Sequence, residues 1–464
     1  MERSTNGSIK KNRVGGKAAA GIVGVSEAEV NALAKEKKFM RRKARKIDPP
    51  RFLAALCALA SNGTATCGAL AGKLGIGYGV DVSRQAVWKR VKAPCLEFLK
   101  AVLACVLANA AGASATIPSG MFKAFGRVIV ADSTAVKLAG KFKSLFPGAG
   151  NQFATTATLK IQCAVDLLSG AFVHFSVTPL TRNDQTASVD VLDYLRMGDL
   201  VIRDLGYFSI AVFRSIANAQ AFFLSRMKMD AAIYDPVSGG RLDTRKLFRQ
   251  RNIVDMEVLL GQSERLPVRL IGVPVPAAVA DKRRRDAAKG KDGRKPAAET
   301  LRLLSWIILV TNVPHGAWTP HEAAFAYRLR WRVEVIFKAW KSFLSLTECH
   351  LAGTFQLLAI MSARMIALAS VYTMAVKDME TLETAMEARE ISILKTAKFM
   401  AANWDEVAAL LSSKAGIEKL ERLLAKHCAY ERRRRVNYAQ ELANALNPDI
   451  VIKPYHLNNA RVMR

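Results

Sequence analysis

The sequence is short of acidic residues and of the clusters that bind zinc or form disulfides. It has 39 Asp and Glu against 69 Lys and Arg, which gives a formal net charge of +30 at pH 7. Its seven cysteines are scattered without a Cys-x-x-Cys pair, and its six histidines are isolated from one another. The pattern argues against a zinc finger or a disulfide framework, and it fits a reducing cytoplasm.

Long apolar runs are also missing. The N-terminal stretch MERSTNGSIKKNR contains no apolar segment of the signal-peptide type. The most apolar stretch, 355–376, carries Arg364 near its centre and predicts a buried helix instead of a membrane span. Hydrophobic residues make up 51% of the 464 residues, so the chain can bury a large core. With no membrane segment, the basic field favours nucleic acid as the partner.

The first part of the chain predicts a basic arm and then a helical DNA-binding domain. Residues 1–50 are basic and rich in Gly, Ser and Ala, which predicts a flexible arm; DNA contact and a plain mobile tail are equally open. Residues 51–118 have a helical pattern, in which CGALAGKLGIG and SRQAVWKRV are typical of a helix-turn-helix with Ser83 as an N-cap. An ordinary helical pair is the alternative. The exposed face of the second helix would carry Arg84, Gln85, Lys89 and Arg90.

Residues 119–229 alternate between strand and helix patterns. GRVIVAD predicts a buried strand ending at Asp132, and DLVIRD predicts another ending at Asp204. Between them lie a predicted hairpin, with Asp166 facing solvent near its turn, and a predicted amphipathic helix over 184–197. The order is strand, hairpin, helix, strand, helix, strand, which is the order of a ribonuclease-H-like core.

The remaining sequence predicts an interruption of that core and a return to it. Residues 230–316 predict a mostly β insertion with a mobile cationic loop, DKRRRDAAKGKDGRK. Residues 317–350 predict a core helix, and residues 351–464 predict a helical region suited to dimerisation. The predicted fold class is therefore α/β: a ribonuclease-H-like mixed-sheet core interrupted by a mostly β insertion, with helical N- and C-terminal regions.

One helical segment, YRLRWRVEVIFKAWK, concentrates the polar chemistry. At about 3.6 residues per turn, its four polar residues fall within an arc of roughly 60°. They are Tyr327, Arg330, Glu334 and Lys341. A carboxylate flanked by two cations and a phenol can hold a metal beside a phosphodiester. A solvated face with salt bridges at helical spacing is the alternative.

The two strand-end aspartates and the helical glutamate form a candidate metal site. Strand ends in an open sheet are where ligands usually bind, and three oxygen ligands suit Mg²⁺ or Mn²⁺. Asp132, Asp204 and Glu334 would be the ligands. Two such ions roughly 4 Å apart would support phosphoryl transfer. Taken singly, each aspartate could instead cap a turn.

The spacing Tyr, two residues, Arg, three residues, Glu, six residues, Lys resembles the signature of a bacterial family. That family is the insertion-sequence DDE transposases of the family numbered four. The segments VIVADST around Asp132, IRDLGYFS around Asp204, and TRNDQ at 181–185 are similar to its acidic motifs. The resemblance extends over about residues 50–445.

The resemblance implies roles for individual residues. Asp132, Asp204 and Glu334 would be the catalytic metal-binding triad. A second group would grip the phosphates of the transposon end: Tyr327, Arg330 and Lys341. Trp306 would stack on a flipped base and Arg226 would lie near a DNA hairpin; for Trp306, a core aromatic is the alternative.

The activity that the resemblance implies is cut-and-paste DNA transposition. It would proceed by hydrolytic nicking, transesterification through a hairpin, and strand transfer into target DNA. The partners would be double-stranded transposon ends and target DNA, bound by a homodimer in a synaptic complex, in the bacterial cytoplasm at the nucleoid. A catalytically inactive, transposase-derived DNA-binding protein or inhibitor is the alternative. A tyrosine recombinase would need an Arg/His/Arg pocket, and His321 is the only histidine near Tyr327.

Overall fold

The computed structural model describes most of the chain. The described ranges are 25–41, 46–61, 65–112, 120–150, 155–169, 171–249, 253–289, 297–330, 334, 337, 353–385, 392–410 and 414–429. The chain divides into two compact units, one of 1–109, 343–371 and 396–428, the other of 110–342, 372–395 and 429–464.

In the described part of the second unit, eleven strands form one sheet. Its strands are β1 (Val128–Leu138), β2 (Pro147–Gly150), β3 (Thr155–Asp166), β4 (Phe172–Pro179), β5 (Leu200–Arg203), β6 (Phe222–Arg226), β7 (Ile233–Tyr234), β8 (Arg241–Leu242), β9 (Val254–Leu260), β10 (Leu266–Pro274) and β11 (Trp306–Thr311). The order is β2-β3-β1-β5-β6-β11-β10-β9-β7-β8, with β4 also paired to β3.

Five of these strands form the predicted core. Strand β3 is antiparallel to β1 and β4 is antiparallel to β3, while β5 is parallel to β1 and β6 is parallel to β5. The order β4-β3-β1-β5-β6 with these directions is the ribonuclease-H-like arrangement. The central strands are buried on both faces, which explains the unbroken apolar runs 128–131 and 200–202. The predicted fold class is confirmed.

The inserted segment 230–316 continues the core sheet and does not build a separate one. Its last strand, β11, pairs antiparallel with β6, and β10 and β9 follow outward. One hydrophobic cluster accordingly joins residues of both parts, including Phe223 of the core and Trp306 of the insertion. The cationic stretch predicted as a mobile loop is helical from Asp281 to Ala288; residues 290–296 lie outside the described residues.

The helices of the described residues are as follows. In chain order they are α1 (Glu27–Glu36), α2 (Pro49–Ser61), α3 (Cys67–Tyr78), α4 (Arg84–Arg90), α5 (Ala93–Gly112), α6 (Ile210–Asn218), α7 (Thr244–Leu247), α8 (Ala277–Ala288), α9 (Ala298–Leu303), α10 (Pro320–Arg328), α11 (Thr354–Ala385), α12 (Ile393–Ala402), α13 (Trp404–Leu410) and α14 (Lys414–Cys428). No helix of the described ranges is long and apolar enough to cross a membrane.

Three more predictions of local structure were wrong. Part of the predicted arm is helix α1. Ser26 and Glu29 form a capping box at its start, a helix-start signal that the sequence analysis did not use. The predicted helix over 184–197 is a 3-10 helix, Thr186–Asp193. Asp166 is buried, because its carboxylate accepts hydrogen bonds from the Val128 amide (3.0 Å) and from groups in its own turn. The exact domain boundaries stay predictions.

Candidate active site

Three of the predicted site residues lie in one row across neighbouring parallel strands. Register pairs Ala131 of β1 with Arg203 of β5, and Arg203 with Ser225 of β6. The next residue on each strand is Asp132, Asp204 and Arg226, respectively. Since neighbouring strands lie about 4.8 Å apart, the row brings two acids and one cation side by side at the carboxyl edge.

Strand β1 does not end at Asp132, as the sequence predicted, but runs on to Leu138. Only its pairing with β5 stops, at Ala131. Beyond that point β1 is paired only with β3 among the described strands, so the side of Asp132 toward β5 is left open. The Asp132 carboxylate is therefore held on a strand that stays paired with β3 on its other side.

Helix α10 brings the signature segment to this edge. Thr319 and Glu322 form a capping box at its start, with Pro320 in the first turn. At its other end, the Tyr327 hydroxyl donates a hydrogen bond to Asp204 Oδ1 at 3.0 Å. Burial raises the pKa of Tyr327, and the nearby Asp204 carboxylate raises it further. Tyr327 is thus a protonated phenol that donates a hydrogen bond to Asp204.

The signature does not lie on one unbroken helix as predicted. Helix α10 ends at Arg328, and Leu329 and Arg330 form a turn; Glu334 and Phe337 are helical again. Residues 331–333 and Lys341 lie outside the described residues. The turn nevertheless keeps Arg330 and Glu334 in contact, with Arg330 Nη2 2.6 Å from Glu334 Oε1.

The Arg330 guanidinium is the point at which the three predicted acids converge. Its Nη1 lies 3.2 Å from Asp132 Oδ2, its Nε lies 3.8 Å from Asp204 Oδ1, and its Nη2 contacts Glu334. Burial lowers the pKa of Arg330, but the carboxylates, Asp204 first, outweigh burial and raise it above its usual value. Four groups from three elements therefore form one cluster in which three carboxylates share one guanidinium.

This cluster is electrostatically unbalanced. Burial raises the pKa of Asp132 to about 6, and the charges of Asp204 and Glu334 add to that effect; the Ser133 amide and Arg330 only partly oppose it. Asp132 is the most enclosed of the three acids, with 18% of its side chain exposed against 42% for Asp204 and 54% for Glu334. A single guanidinium does not neutralise the site, so further positive charge would stabilise it.

The three carboxylates are suitable ligands for a divalent metal ion, and the Arg330 guanidinium lies between them. Carboxylate oxygens are the ligands that Mg²⁺ and Mn²⁺ prefer. Within the described residues, no three His, Cys, Asp or Glu groups surround a single point closely enough to hold a metal as they stand. Because the Arg330 guanidinium lies between these carboxylates, metal binding there would require it to withdraw from them.

A second polar cluster next to Asp132 was not assigned a role from the sequence. Asp184 accepts hydrogen bonds from Ser133 and Gln162, and it pairs with Lys160 at 2.7 Å. Tyr207 in turn donates a hydrogen bond to Gln162. A signal was available: Lys160 and Gln162 interrupt an apolar strand, LKIQCAV, at alternate positions, so they share one face of the sheet.

Arg226 and Trp306, the two residues predicted to lie near a DNA hairpin, differ in exposure. Arg226 is exposed beside Asp204, and its charge also acts on Tyr327. Trp306 is only 4% exposed and packs against Phe248 with ring centroids 5.2 Å apart. The indole would have to leave this cluster to stack on a base, which favours the core role that the sequence left open.

The predicted recognition helix belongs to the first unit. Ser83 caps α4 by accepting a hydrogen bond from the Ala86 amide, as expected. Arg84, Gln85 and Lys89 are exposed, but Arg90 is half-buried and donates to the Phe39 carbonyl at 2.9 Å. The prediction of an exposed Arg90 was wrong, because its side chain turns back to cover the Phe39 ring.

Trp88 is an exposed residue of α4 that sequence reasoning missed. About half of it (49%) is exposed, and the Lys92 ammonium lies 3.6 Å from its ring centroid. An exposed aromatic ring with a cation on its face, beside Arg84 and Lys89, is a surface suited to an anionic partner.

Comparison with known proteins gives consistent similarities. Residues 123–369 match the model of the family described as "Transposase DDE domain". The chain is 30% identical over 342 residues to the transposase for insertion sequence element IS231F of Bacillus thuringiensis subsp. israelensis, covering 68% of this chain and 71% of the relative. It is 25% identical over 389 residues to the transposase for IS1151 of Clostridium perfringens, covering 79% and 82%.

A structural similarity is also found to one chain of a piggyBac transposase synaptic complex with hairpin DNA. The TM-score is 0.41 at 10% sequence identity, over 89% of this chain and 84% of that chain.

Proposed function

The chain belongs to the family of bacterial insertion-sequence transposases with a DDE domain, and from that premise we propose that it moves DNA by a cut-and-paste route. Membership makes it a DNA transposase, and divalent metal use is general in the family. The detailed route, the ions and the residue roles given below are our proposal. The observation that carries it is the convergence of Asp132, Asp204 and Glu334 on the Arg330 guanidinium.

Asp132, Asp204 and Glu334 would hold the metal, which we propose to be Mg²⁺ or Mn²⁺ with two ions per site. When bound, such ions activate an attacking oxygen and stabilise a leaving one during in-line displacement at phosphorus. The raised pKa of Asp132 supports this assignment, because a cation would favour its ionised form.

The cationic groups around the acids would bind DNA. Arg330, once released from the carboxylates, reaches a phosphate bound beside them with a forked donor set. Arg226 flanks Asp204 on the same edge and would contact the neighbouring phosphate. Tyr327 would donate its proton to a phosphate oxygen, and Lys341 is assigned a phosphate contact from the signature alone.

The chemistry would proceed in four balanced displacements. Water attacks the phosphorus at the transposon end, breaks the bond to the 3′-oxygen and frees a 3′-hydroxyl. That hydroxyl attacks the phosphorus of the opposite strand, displaces the 3′-oxygen of the flanking DNA and forms a hairpin. A second water attacks the hairpin phosphorus and displaces the transposon 3′-oxygen, which frees the 3′-hydroxyl again. The freed 3′-hydroxyl then attacks target DNA and displaces another 3′-oxygen. A homodimer holding two ends is the proposed assembly. For DNA recognition we propose Arg84, Gln85 and Lys89 on α4.

A nicking assay with matched variants tests this proposal. We expect purified chain and Mg²⁺ to nick a duplex carrying its own element end, and Glu334→Gln to lose at least about a thousandfold in rate, roughly 4 kcal/mol of transition-state stabilisation. Binding of the end, measured by gel shift in Ca²⁺, should be unchanged.

Glu299→Gln is the matched control. Glu299 pairs with Arg245 on the surface, so this substitution removes the same charge away from the candidate site. Cleavage by Glu334→Gln at the rate of Glu299→Gln would contradict the proposed role of Glu334 as a metal ligand. A wild-type chain that binds ends but never nicks them would instead favour the inactive DNA-binding alternative.

Trp306 separates the hairpin step from simple packing. If the indole only packs in its cluster, Trp306→Ala lowers stability by about 3–5 kcal/mol and slows nicking and hairpin formation equally. A selective loss of hairpin product by Trp306→Phe, at normal nicking, would instead support base stacking. Single-turnover product analysis on a labelled end distinguishes the two.

A further inference from the structure

Behind the acidic row lies a polar cluster on the opposite face of β1. Ser133 follows Asp132 on this strand, so their side chains point to opposite faces. Register pairs Ser133 with Gln162 and Ala135 with Lys160, which places Ser133, Gln162 and Lys160 on one face. The cluster is therefore separated from the candidate metal site by a single strand.

Asp184 is the centre of this cluster. Its Oδ1 lies 2.7 Å from Ser133 Oγ, 2.7 Å from Lys160 Nζ and 3.3 Å from Gln162 Nε2. Lys160 is only 7% exposed and its ammonium has a carboxylate at ion-pair distance. A buried ammonium is stable only when it is paired, so Lys160 and Asp184 fix each other.

The cluster reaches both aspartate-bearing segments. On one side, the Ser133 amide donates to Asp132 Oδ1 at 2.8 Å, while the Ser133 hydroxyl donates to Asp184. On the other side, the Asp184 carboxylate lies against Gly206, where an added Cβ would be 3.3 Å from it. Gly206 belongs to the 3-10 turn Leu205–Tyr207 that directly follows Asp204.

A second link joins the same two segments. Tyr207 donates its hydroxyl proton to Gln162, whose amide donates to Asp184. Burial raises the pKa of Tyr207, so the phenol stays a donor. The turn after Asp204 and the strand after Asp132 are thus tied through one carboxylate and one amide.

Asp184 is not itself suited to bind a metal. One of its oxygens already receives three donors, and Lys160 neutralises its charge. Although burial raises the pKa of Asp184, the hydrogen bonds from Lys160 and Ser133 outweigh burial and leave it below its usual value. This carboxylate is balanced, whereas that of Asp132 is not.

We propose that Asp184, with Lys160 as its counter-ion, is a positioning residue: it fixes Ser133 and the turn 205–207, and so holds Asp132 and Asp204 at the spacing that divalent ions require. This inference rests on the proposed function. Groups that orient metal ligands in this way typically change metal affinity by about 10- to 100-fold when removed.

Three serine variants test the inference without disturbing the buried ion pair. Ser133→Ala removes the hydroxyl that anchors Asp132 to Asp184, and Ser133→Thr keeps a hydroxyl on the strand. Ser176→Ala is the matched control: Ser176 pairs with Gln162 in register, and its buried hydroxyl has no hydrogen-bond partner among the described residues.

Initial nicking rates are measured against Mg²⁺ concentration, and Mn²⁺ binding to the chain alone is measured by electron paramagnetic resonance. We expect Ser133→Ala to raise the half-saturating Mg²⁺ and the Mn²⁺ dissociation constant about tenfold. Ser133→Thr should restore both, Ser176→Ala should match wild type, and end binding in Ca²⁺ should be equal in all four proteins.

Asp184→Asn gives a second reading, since it removes the charge and keeps the shape. It should raise the half-saturating Mg²⁺ more than Ser133→Ala does, and the double variant with Lys160→Met should restore folding stability without restoring metal affinity. If Asp184→Asn does not fold, the serine variants decide alone. Equal metal dependence of Ser133→Ala and Ser176→Ala overturns the inference, whereas a wild-type chain that never nicks overturns the proposed function.

Discussion

A buried arginine, Arg269, and a partly buried one, Arg330, have opposite surroundings in the same unit. Arg269, on β10, is 2% exposed and makes five hydrogen bonds, two to the Asp255 carboxylate and three to the carbonyls of Val313, Pro314 and Trp318. Arg330, at the carboxyl edge of the core strands, faces three carboxylates and bonds only two of them within 3.5 Å.

The difference is one of charge balance. Around Arg269 one guanidinium meets one carboxylate, and every N–H group has an acceptor, so the cluster is complete and joins β10 to the start of α10. Around Arg330 three carboxyl groups share one guanidinium, and the pKa of Asp132 rises to about 6. The complete cluster around Arg269 fits a structural role, and the excess of carboxyl groups around Arg330 is what the proposed cation site requires.

The largest expected effect is the loss of the complete cluster. Arg269→Met removes the guanidinium from the Asp255 carboxylate, which keeps His315 Nδ1 at 3.4 Å, and takes the donor away from three carbonyls. The free energy of unfolding should therefore fall by about 3–5 kcal/mol. Urea unfolding followed by circular dichroism measures it. A loss below about 1 kcal/mol would show that the cluster is not structural; replacing Asp255 by Leu as well should recover part of the loss.

A smaller effect with a different signature is expected at the incomplete cluster. Arg330→Gln removes the cation shared by the three acids, so the free energy of unfolding in EDTA should fall by about 1–2 kcal/mol because the carboxylates repel one another. Mg²⁺ should restore it, since a ligand of the folded state stabilises by mass action. Arg269→Met is the control, and Mg²⁺ should not restore its free energy of unfolding. Equal recovery in both variants would contradict the difference proposed between the two clusters.

The smallest expected effect is a pH dependence at Asp132. Its folded-state pKa of about 6 exceeds its ordinary value of 3.8, so between these pH values the folded chain keeps a proton that the unfolded chain has released. Stability therefore decreases as pH rises from about 4 to 6. A shift of about two pKa units corresponds to at most about 3 kcal/mol, and solvent screening at this partly exposed group reduces the expected loss to about 1 kcal/mol. Asp132→Asn should lack this decrease, and Mg²⁺ should flatten it in wild type. Unfolding curves at four pH values test both; identical slopes in the two proteins would contradict the assignment.

Part of the fold followed directly from local patterns. Apolar runs at 128–131 and 200–202 predicted the buried parallel strands, and Ser83 predicted the start of α4, because each depends only on near neighbours in sequence. The turn at Leu329 and Arg330 and the burial of Asp166 were not predicted. Both depend on groups that approach from elsewhere in the chain.

The sequence by itself determined which residues could do chemistry: the acids after the core strands, the cations near Glu334, and the order of the strands. Tertiary structure decided which of them meet. The register Ala131–Arg203–Ser225 sets Asp132, Asp204 and Arg226 in one row, and the packing of α10 sets Arg330 among the acids. Strand pairing and burial depend on residues far apart in sequence, so local periodicity does not predict them. The contact between Asp184 and Ser133 was not predicted for the same reason.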